Sequence, residues 1–246
     1  MSEFKFPTEV VELPSKGLLY PEGSPLAEGK IEMKYMTAKE EDILTNQNYI
    51  RQGIVIDKLL QSMIVSDINY NDLLVADKDA IMIAARILGY GKDYSFTYGG
   101  KEVTVDLTLM KDKLLDESLI KTPRINEFYF TLPYSKNEIS FKLFNHGDEN
   151  KIEKELEGLK KIDPKGSFEL STRLKHMLLS VNGDRDPKSI REFVDNAFLA
   201  RDSKSFRDYV SKISPGIELK FDFEDDGYVE EGVNLPITIS FFWPDA

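Results

Sequence analysis

The spacing of hydrophobic residues changes period several times along the chain, and these changes predict its secondary structure. Between residues 37 and 88, and again between 149 and 213, apolar side chains recur every three or four positions, which places them on one face of a helix. In 94–107, 128–143 and 217–241 they alternate with polar side chains, the spacing of a half-buried strand. The helical spacing predicts helices at about 37–48, 54–64, 80–88, 149–162, 168–181, 187–200 and 203–213. Thr37, with Glu40 three positions later, predicts a capping box at the start of the first of these helices.

Each alternating stretch contains a turn signal near its middle, which predicts a β-hairpin. Gly99 and Gly100 supply the positive φ angles that a two-residue type I′ turn requires. The sequences PYSKN at 133–137 and DDG at 225–227 take the same place in the two later hairpins. Strands joined by hairpins pair antiparallel, and helices lie between these hairpins. The sequence therefore predicts the α+β class, with helices and antiparallel β-hairpins.

The chain is predicted to divide into three segments. Residues 1–35 contain four prolines, which prevent a long helix, and are predicted to form an extended N-terminal arm. Residues 36–115 hold a helical segment and a β-hairpin, and residues 116–246 hold a β-hairpin, a helical segment and a C-terminal β-hairpin. A charged stretch at about 110–125 allows a boundary between two subdomains. The sequence leaves open whether these share one core.

Composition narrows the classes of function. The 246-residue chain has no cysteine, which excludes disulfides, thiol catalysis and cysteine-ligated metal centres. Its formal net charge of −11 repels phosphate backbones and anionic lipids, so we expect neither nucleic acid nor a membrane as a partner. The N-terminus lacks the basic and apolar regions of a secretion signal, and no apolar run approaches the roughly 18 residues of a spanning helix. The sequence therefore predicts a cytoplasmic protein.

Two stretches that look like ligand-binding motifs fail on their spacing. Residues 23–30 resemble a phosphate-binding loop, but five residues separate the glycines where four are required, and no Ser or Thr follows the lysine. Residues 222–233 begin like a calcium loop, but a valine stands at the position that needs a bidentate Glu. We therefore predict no cofactor-binding and no metal-binding residue.

The titratable residues do not assemble a catalytic group either. None of the 43 acidic residues stands in a sequence context that suggests a raised pKa, and Asp77 and Asp79 are interpreted as helix caps. The two histidines, His146 and His176, are interpreted as a loop residue and a residue at the edge of a helix. No nucleophile, base and orienting residue can be assigned, so we predict that the protein is not an enzyme.

Large apolar side chains are concentrated near both ends of the chain, where solvated tails rarely carry them. One interpretation is that residues 13–21 and 241–244 cover the core of their own domain. The other is that they dock on a partner, because aromatic anchors on a proline-stiffened backbone lose little entropy on binding. On this second interpretation, the predicted partner-binding residues are Pro14, Gly17, Leu19, Tyr20, Pro21, Phe242, Trp243 and Pro244.

Four short stretches carry a family resemblance. Residues 11–21 read VELPSKGLLYP, residues 36–44 read MTAKEEDIL, residues 80–91 end in RILGYG, and residues 241–244 read FFWP. Together they resemble the opening element, the following helix start, a third element and the C-terminal aromatic motif of a family of baseplate proteins from contractile-tailed phages of the T-even type. The likeness covers both ends and most of the first hundred residues, and it fades between about 110 and 210.

The resemblance implies a non-enzymatic protein of the baseplate hub, either a structural hub subunit or a hub assembly factor. Its partners would be other phage baseplate hub proteins, which it would bind in the host cytoplasm during assembly. A structural subunit would also be present in the tail baseplate of the virion. Some members of the family carry cysteine pairs that suggest a metal site, but this chain has no cysteine, so no metal is implied here. Stoichiometry and oligomeric state are left open.

Two other hypotheses stand beside this one. A carboxylate-based hydrolase, with or without a divalent ion, is suggested by the abundance of acidic residues and predicts a buried carboxyl pair in a concave pocket. A chaperone that binds a host or viral protein outside the tail would use the same apolar ends. Both the chaperone and the hub protein would act by binding another protein, and the two hypotheses differ in which protein is bound.

Overall fold

The computed structural model describes residues 7–225, 227–237 and 241–243 and confirms the α+β class. Its helices are α1 (Ala38–Leu44), α2 (Gln47–Arg51), α3 (Val55–Met63), α4 (Val75–Tyr90), α5 (His146–Ile162), α6 (Glu169–Met177), α7 (Pro187–Asn196) and α8 (Ala200–Ile213). Its strands are β1 (Thr8–Glu12), β2 (Lys30–Lys34), β3 (Asp93–Tyr98), β4 (Lys101–Asp106), β5 (Lys111–Lys113), β6 (Phe128–Thr131), β7 (Glu138–Phe141), β8 (Leu178–Val181), β9 (Gly216–Glu218), β10 (Lys220–Asp225) and β11 (Tyr228–Asn234). All the strand pairs are antiparallel.

The structure forms the two hairpins predicted from alternating residues in 94–107 and 128–143. β3 and β4 are joined by Gly99 and Gly100, whose φ angles of 57° and 79° are the left-handed values that the turn requires. β6 and β7 form the second hairpin. The third predicted hairpin is present as β10 and β11, and the part of that prediction at 238–240 lies outside the described residues.

The first and last hairpins pack against each other through aromatic side chains. The ring centroids of Phe96 and Phe221 are 5.1 Å apart, and those of Tyr98 and Phe223 are 5.0 Å apart, both with edge-to-face geometry. Two-stranded sheets are marginal alone, since each leaves an apolar face open. Here each hairpin covers the apolar face of the other.

The central sheet has the strand order β6-β7-β8, and β8 occupies a stretch that was predicted as helix. The helix predicted at 168–181 ends at Met177, and the next four residues pair with β7. Ser140 and Ser180 lie opposite each other, and their Oγ atoms are 2.6 Å apart. Pairing with a strand 40 residues earlier overrides the local helical spacing, which a short sequence window cannot detect.

The described part of the predicted N-terminal arm, residues 7–35, forms a two-stranded ribbon with turns. β1 pairs with β2 with Val10 opposite Glu32, and a short 3₁₀-helix, Pro25–Glu28, lies between the strands. The prolines prevent a long helix there, as predicted, but they permit a ribbon and turns. Its apolar side chains, such as Leu26 and Ile31, are buried in the core.

One cluster of buried hydrophobic side chains runs through all three predicted segments. It extends from Leu13 in the N-terminal ribbon through Leu59 and Phe206 to Phe242. The pairing of β5 with β9 also ties the second segment to the third. The two candidate subdomains therefore share one core in this structure.

The capping box predicted at the start of α1 is present and is buried. Glu40 accepts hydrogen bonds from the backbone N–H and the hydroxyl of Thr37, at 3.0 and 2.6 Å. It also accepts bonds from Lys34 Nζ at 2.8 Å and Ser62 Oγ at 2.7 Å. Burial alone would raise the pKa of Glu40, but these donors outweigh it and lower the pKa to about 2.

Acid is expected to weaken the fold through Glu40. Between about pH 4.5 and pH 2 the unfolded chain takes up a proton on this carboxylate and the folded chain does not, so the free energy of unfolding falls as the pH is lowered. Urea unfolding of the wild type and of Glu40→Gln at about pH 5 and pH 3 measures the effect, and the variant should lose less stability between them. Glu41→Gln changes the exposed neighbour and is the control. Equal losses in wild type and Glu40→Gln would contradict the assignment.

Candidate functional site

Most of the predicted partner-binding residues lie inside the folded chain. Leu19, Tyr20 and Phe242 are 3%, 2% and 2% exposed, and Pro14 and Gly17 are also buried, whereas Pro21 is exposed. Trp243 is half-buried and donates its indole N–H to the carbonyl oxygen of Leu44 at 3.1 Å, and Pro244 lies outside the described residues. The interpretation that both ends cover their own core accounts for the buried residues. Direct contact between these residues and a partner stays a prediction. Because Pro21 is exposed, a binding surface would lie next to it.

Gly17 is required by a close approach of two backbone segments. Its φ angle is +73°, and a Cβ atom there would lie 2.5 Å from the carbonyl oxygen of Ala27. Gly29, also at φ +73°, faces the same contact, since its Cβ would lie 2.7 Å from the Lys16 carbonyl carbon. The Ser-Lys-Gly turn in residues 13–21 therefore packs directly against the backbone at residues 27–29.

The same turn binds a buried carboxylate of α4. Asp77 is 0% exposed and accepts three hydrogen bonds, from Ser15 N–H at 2.8 Å, Ser15 Oγ at 2.6 Å and Tyr20 Oη at 2.6 Å. The Tyr20 hydroxyl in turn accepts the backbone N–H of Leu74 at 3.0 Å. Asp77 was predicted as a helix cap. It stands in the first turn of α4, but its oxygens hold the N-terminal segment.

Burial dominates the electrostatics of this cluster. It raises the pKa of Asp77, and the three donors only partly offset that rise. Burial, and then the neighbouring Asp77 charge, raise the pKa of Tyr20. The sequence prediction that no acid has a raised pKa missed this residue. A signal was present, because Asp77 precedes Ile81 by four positions and so continues the apolar stripe of its helix.

A groove opens beside the buried cluster, and we call it the Arg124 groove. Its volume is about 550 Å³. The buried side chains of Leu19, Tyr20 and Leu74 line it, and the exposed residues Pro21, Arg124 and Ile125 stand at its edge. All three predicted segments contribute to it, and its size is within the range of ligand-binding clefts.

The polar residues of the Arg124 groove are held by bonds within the chain. Lys142 Nζ lies 2.6 Å from Asp148 Oδ1, so these charges neutralise each other. Asp148 also accepts the backbone N–H of Asn145 at 3.3 Å in the capping box of α5. Arg124 donates from Nη1 to the carbonyl oxygens of Gly17 and Ala27, both at 2.8 Å. The arginine is thereby fixed to the same turn that Asp77 holds.

The buried Arg86 near the end of α4 is bonded to backbone carbonyl oxygens. Arg86 is 3% exposed and donates to the carbonyl oxygens of Gly91 at 2.9 Å and Asp93 at 3.1 Å. Its guanidinium also lies 5.4 Å from the ring centroid of Tyr90. Arg86, in the RILGYG stretch, therefore links the C-terminal end of α4 to the start of β3. The negative end of the helix dipole at that end of α4 favours a cation.

The side chains of both histidines make contacts between secondary-structure elements. His146, at the start of α5, packs edge-on against Tyr70 with centroids 4.7 Å apart, and burial lowers its pKa. His176 Nε2 lies 2.8 Å from Glu155 Oε2, and Glu155 also receives two bonds from Arg191. The Arg191 bonds, together with His176, lower the pKa of Glu155 to about 2 despite its partial burial. These contacts account for both histidines within the fold.

No protein-family model, curated protein or solved structure matches this chain. Among the helices in the described ranges, none combines the length and the apolar character that crossing a bilayer takes. In the same ranges, no three side chains of the types His, Asp and Glu are grouped so that they could hold a metal ion. The residues themselves are therefore the basis for a functional proposal.

Proposed function

We propose that this protein serves the tail baseplate hub of a T-even-type phage, as a structural subunit or an assembly factor, and acts by binding other hub proteins. One observation carries the proposal. Four stretches that resemble the baseplate family lie far apart in the sequence, yet three of them contact one another in the fold, and the first is bonded to the helix that contains the third.

Two contacts join these stretches directly, and a third joins the first stretch to the helix of another. Residues 11–21 are bonded to α4 through Asp77, three positions before the third stretch begins. α4 meets residues 36–44 where Gly89 leaves room for the Met36 side chain, since a Cβ on Gly89 would lie 2.7 Å from Met36 Cε. The C-terminal motif meets residues 36–44 through the bond from Trp243 to Leu44. Chance matches would not be expected to lie against one another in the fold, so the contacts among three stretches and the bond of the first to α4 support one shared architecture.

The geometry favours binding over carboxylate chemistry. The alternative hydrolase needs a carboxyl group that can reach a substrate. Asp77 is a fully buried acid, but its carboxylate accepts hydrogen bonds from Ser15 and Tyr20, and it is closed to solvent. Asp148, which lines the Arg124 groove, is paired with Lys142. The groove also contains the exposed Asp72, but its apolar side chains and its guanidinium offer contacts that suit a protein segment.

Binding to purified hub proteins tests the proposal. We expect this protein to co-elute with at least one baseplate hub protein of the same phage in size-exclusion chromatography, and we expect a phage that lacks its gene to assemble defective tails. A partner found only among proteins outside the tail, by crosslinking in infected cells, would favour the chaperone hypothesis. The absence of a complex with any tail protein, together with normal tails from the deletion phage, would eliminate the hub proposal.

The two forms of the proposal differ in where the protein ends up. A structural subunit stays in the finished virion, whereas an assembly factor acts in the host cytoplasm and is left behind. Mass spectrometry of purified virions separates them, because presence at a fixed ratio to the hub proteins indicates a subunit and absence indicates an assembly factor.

A further inference from the structure

We propose, resting on the hub-binding function above, that the Arg124 groove binds an extended segment of the hub partner in which an apolar side chain stands next to a carboxylate. The apolar side chain would enter between Pro21 and Ile125, and the carboxylate would pair with Arg124. Two independent features of the groove point to this occupant, one apolar and one electrostatic.

The apolar feature is the hydrophobic part of the floor and of the edge. Leu19 and Leu74 form part of the floor, and Pro21 and Ile125 form part of the edge. Ile125 is 48% exposed, although its neighbours in the groove are among the most buried residues of the protein. A partner side chain placed here would remove apolar surface from water on both sides, and Pro21 would lose little conformational freedom when it is covered.

The electrostatic feature is a positive charge that the described residues leave without an ion pair, although Asp72 and Asp148 also line the groove. Arg124 forms no ion pair with any residue of the described ranges, and its bonds from Nη1 go to neutral carbonyl oxygens. Its Nη2 and Nε donors have no partner among those residues. Its backbone is held at φ +64°, an uncommon conformation for a residue with a Cβ.

A carboxylate is the group that such a guanidinium fits. The planar donors of arginine match the two oxygens of a carboxylate, and a pre-positioned arginine loses little freedom on pairing. The other cation of the groove, Lys142, is already neutralised by Asp148. The net charge of −11 does not attract an acidic segment to the chain as a whole, so the complementarity is local to Arg124.

Three single variants test the proposal against the hub protein that co-elutes with the wild type. Arg124→Gln removes the charge, and Ile125→Ser removes the apolar edge without touching the carbonyl bonds of Arg124. Each is expected to raise the Kd by about tenfold or more. Lys121→Gln removes a positive charge from the same loop outside the groove and should leave the Kd within about twofold. Thermal unfolding of each variant separates lost binding from lost folding.

Salt and crosslinking then identify the occupant. The wild-type Kd should rise with ionic strength, and the rise should be smaller in Arg124→Gln. A photocrosslinking residue at position 125 should capture one segment of the hub partner with an Asp or Glu beside an apolar residue. Capture of a segment without an acid, or a second copy of this chain in a dimer that Ile125→Ser abolishes, would overturn the proposal. Unchanged Kd values for both groove variants would overturn it and leave the hub function standing, whereas a wild type that binds no hub protein would overturn both.

Discussion

Asp77→Ala is expected to lower the free energy of unfolding by about 4 kcal/mol. The substitution leaves the Ser15 N–H, the Ser15 hydroxyl and the Tyr20 hydroxyl without the acceptor that all three share. Each unsatisfied buried donor costs about 1–3 kcal/mol, and because the three share one site their costs do not add fully. Urea unfolding monitored by circular dichroism measures the loss.

Two further variants make the Asp77 result specific. Asp77→Asn keeps one acceptor oxygen and should lose less stability than Asp77→Ala. Asp42→Ala, at an exposed position of α1, should change the free energy of unfolding by less than about 0.5 kcal/mol. A loss for Asp77→Ala no larger than that of Asp42→Ala would show that the N-terminal segment is not held by this carboxylate.

Gly17→Ala is expected to destabilise the protein by about 2 kcal/mol more than Gly53→Ala. The two glycines have nearly the same φ angle, +73° and +70°, so both substitutions carry the same left-handed strain. They differ in space, because a Cβ at Gly17 meets Ala27 oxygen at 2.5 Å and a Cβ at Gly53 meets no atom within 4 Å. The difference between the two unfolding free energies therefore measures the close approach alone. Equal losses would mean that the chain relaxes around the new methyl group and that the contact is not tight.

Asp77 and Gly17 also show what could not be predicted from the sequence. The pattern around Gly17 and Tyr20 indicated that large side chains and a turn were needed, but a turn that packs inward and one that docks outward use the same residue types. The deciding contacts are made with Asp77 and Ala27, and the first of these lies more than fifty residues away along the chain. Local patterns carry no information about such a partner.

The sequence predicted the elements that depend on neighbouring residues. It did not predict the elements that depend on pairing with residues far away along the chain. The hairpin at Gly99 and Gly100 and the capping box at Thr37 depend on residues within a few positions, and both are present. β8 and the pair β5 and β9 depend on strands at least 37 positions away, and both were missed. The Arg124 groove was not predicted either, because it brings together side chains from three predicted segments.

The packing of the first hairpin on the last one has a consequence for biosynthesis. Tyr94 donates its hydroxyl hydrogen to the carbonyl oxygen of Pro236, 142 residues later, at 2.8 Å. Until β10, β11 and Pro236 leave the ribosome, the aromatic face of β3 has no cover, so the nascent chain exposes a hydrophobic surface while the intervening residues are made. A chain that stops before β10 would keep that face bare, and cells should therefore hold or degrade such truncated chains.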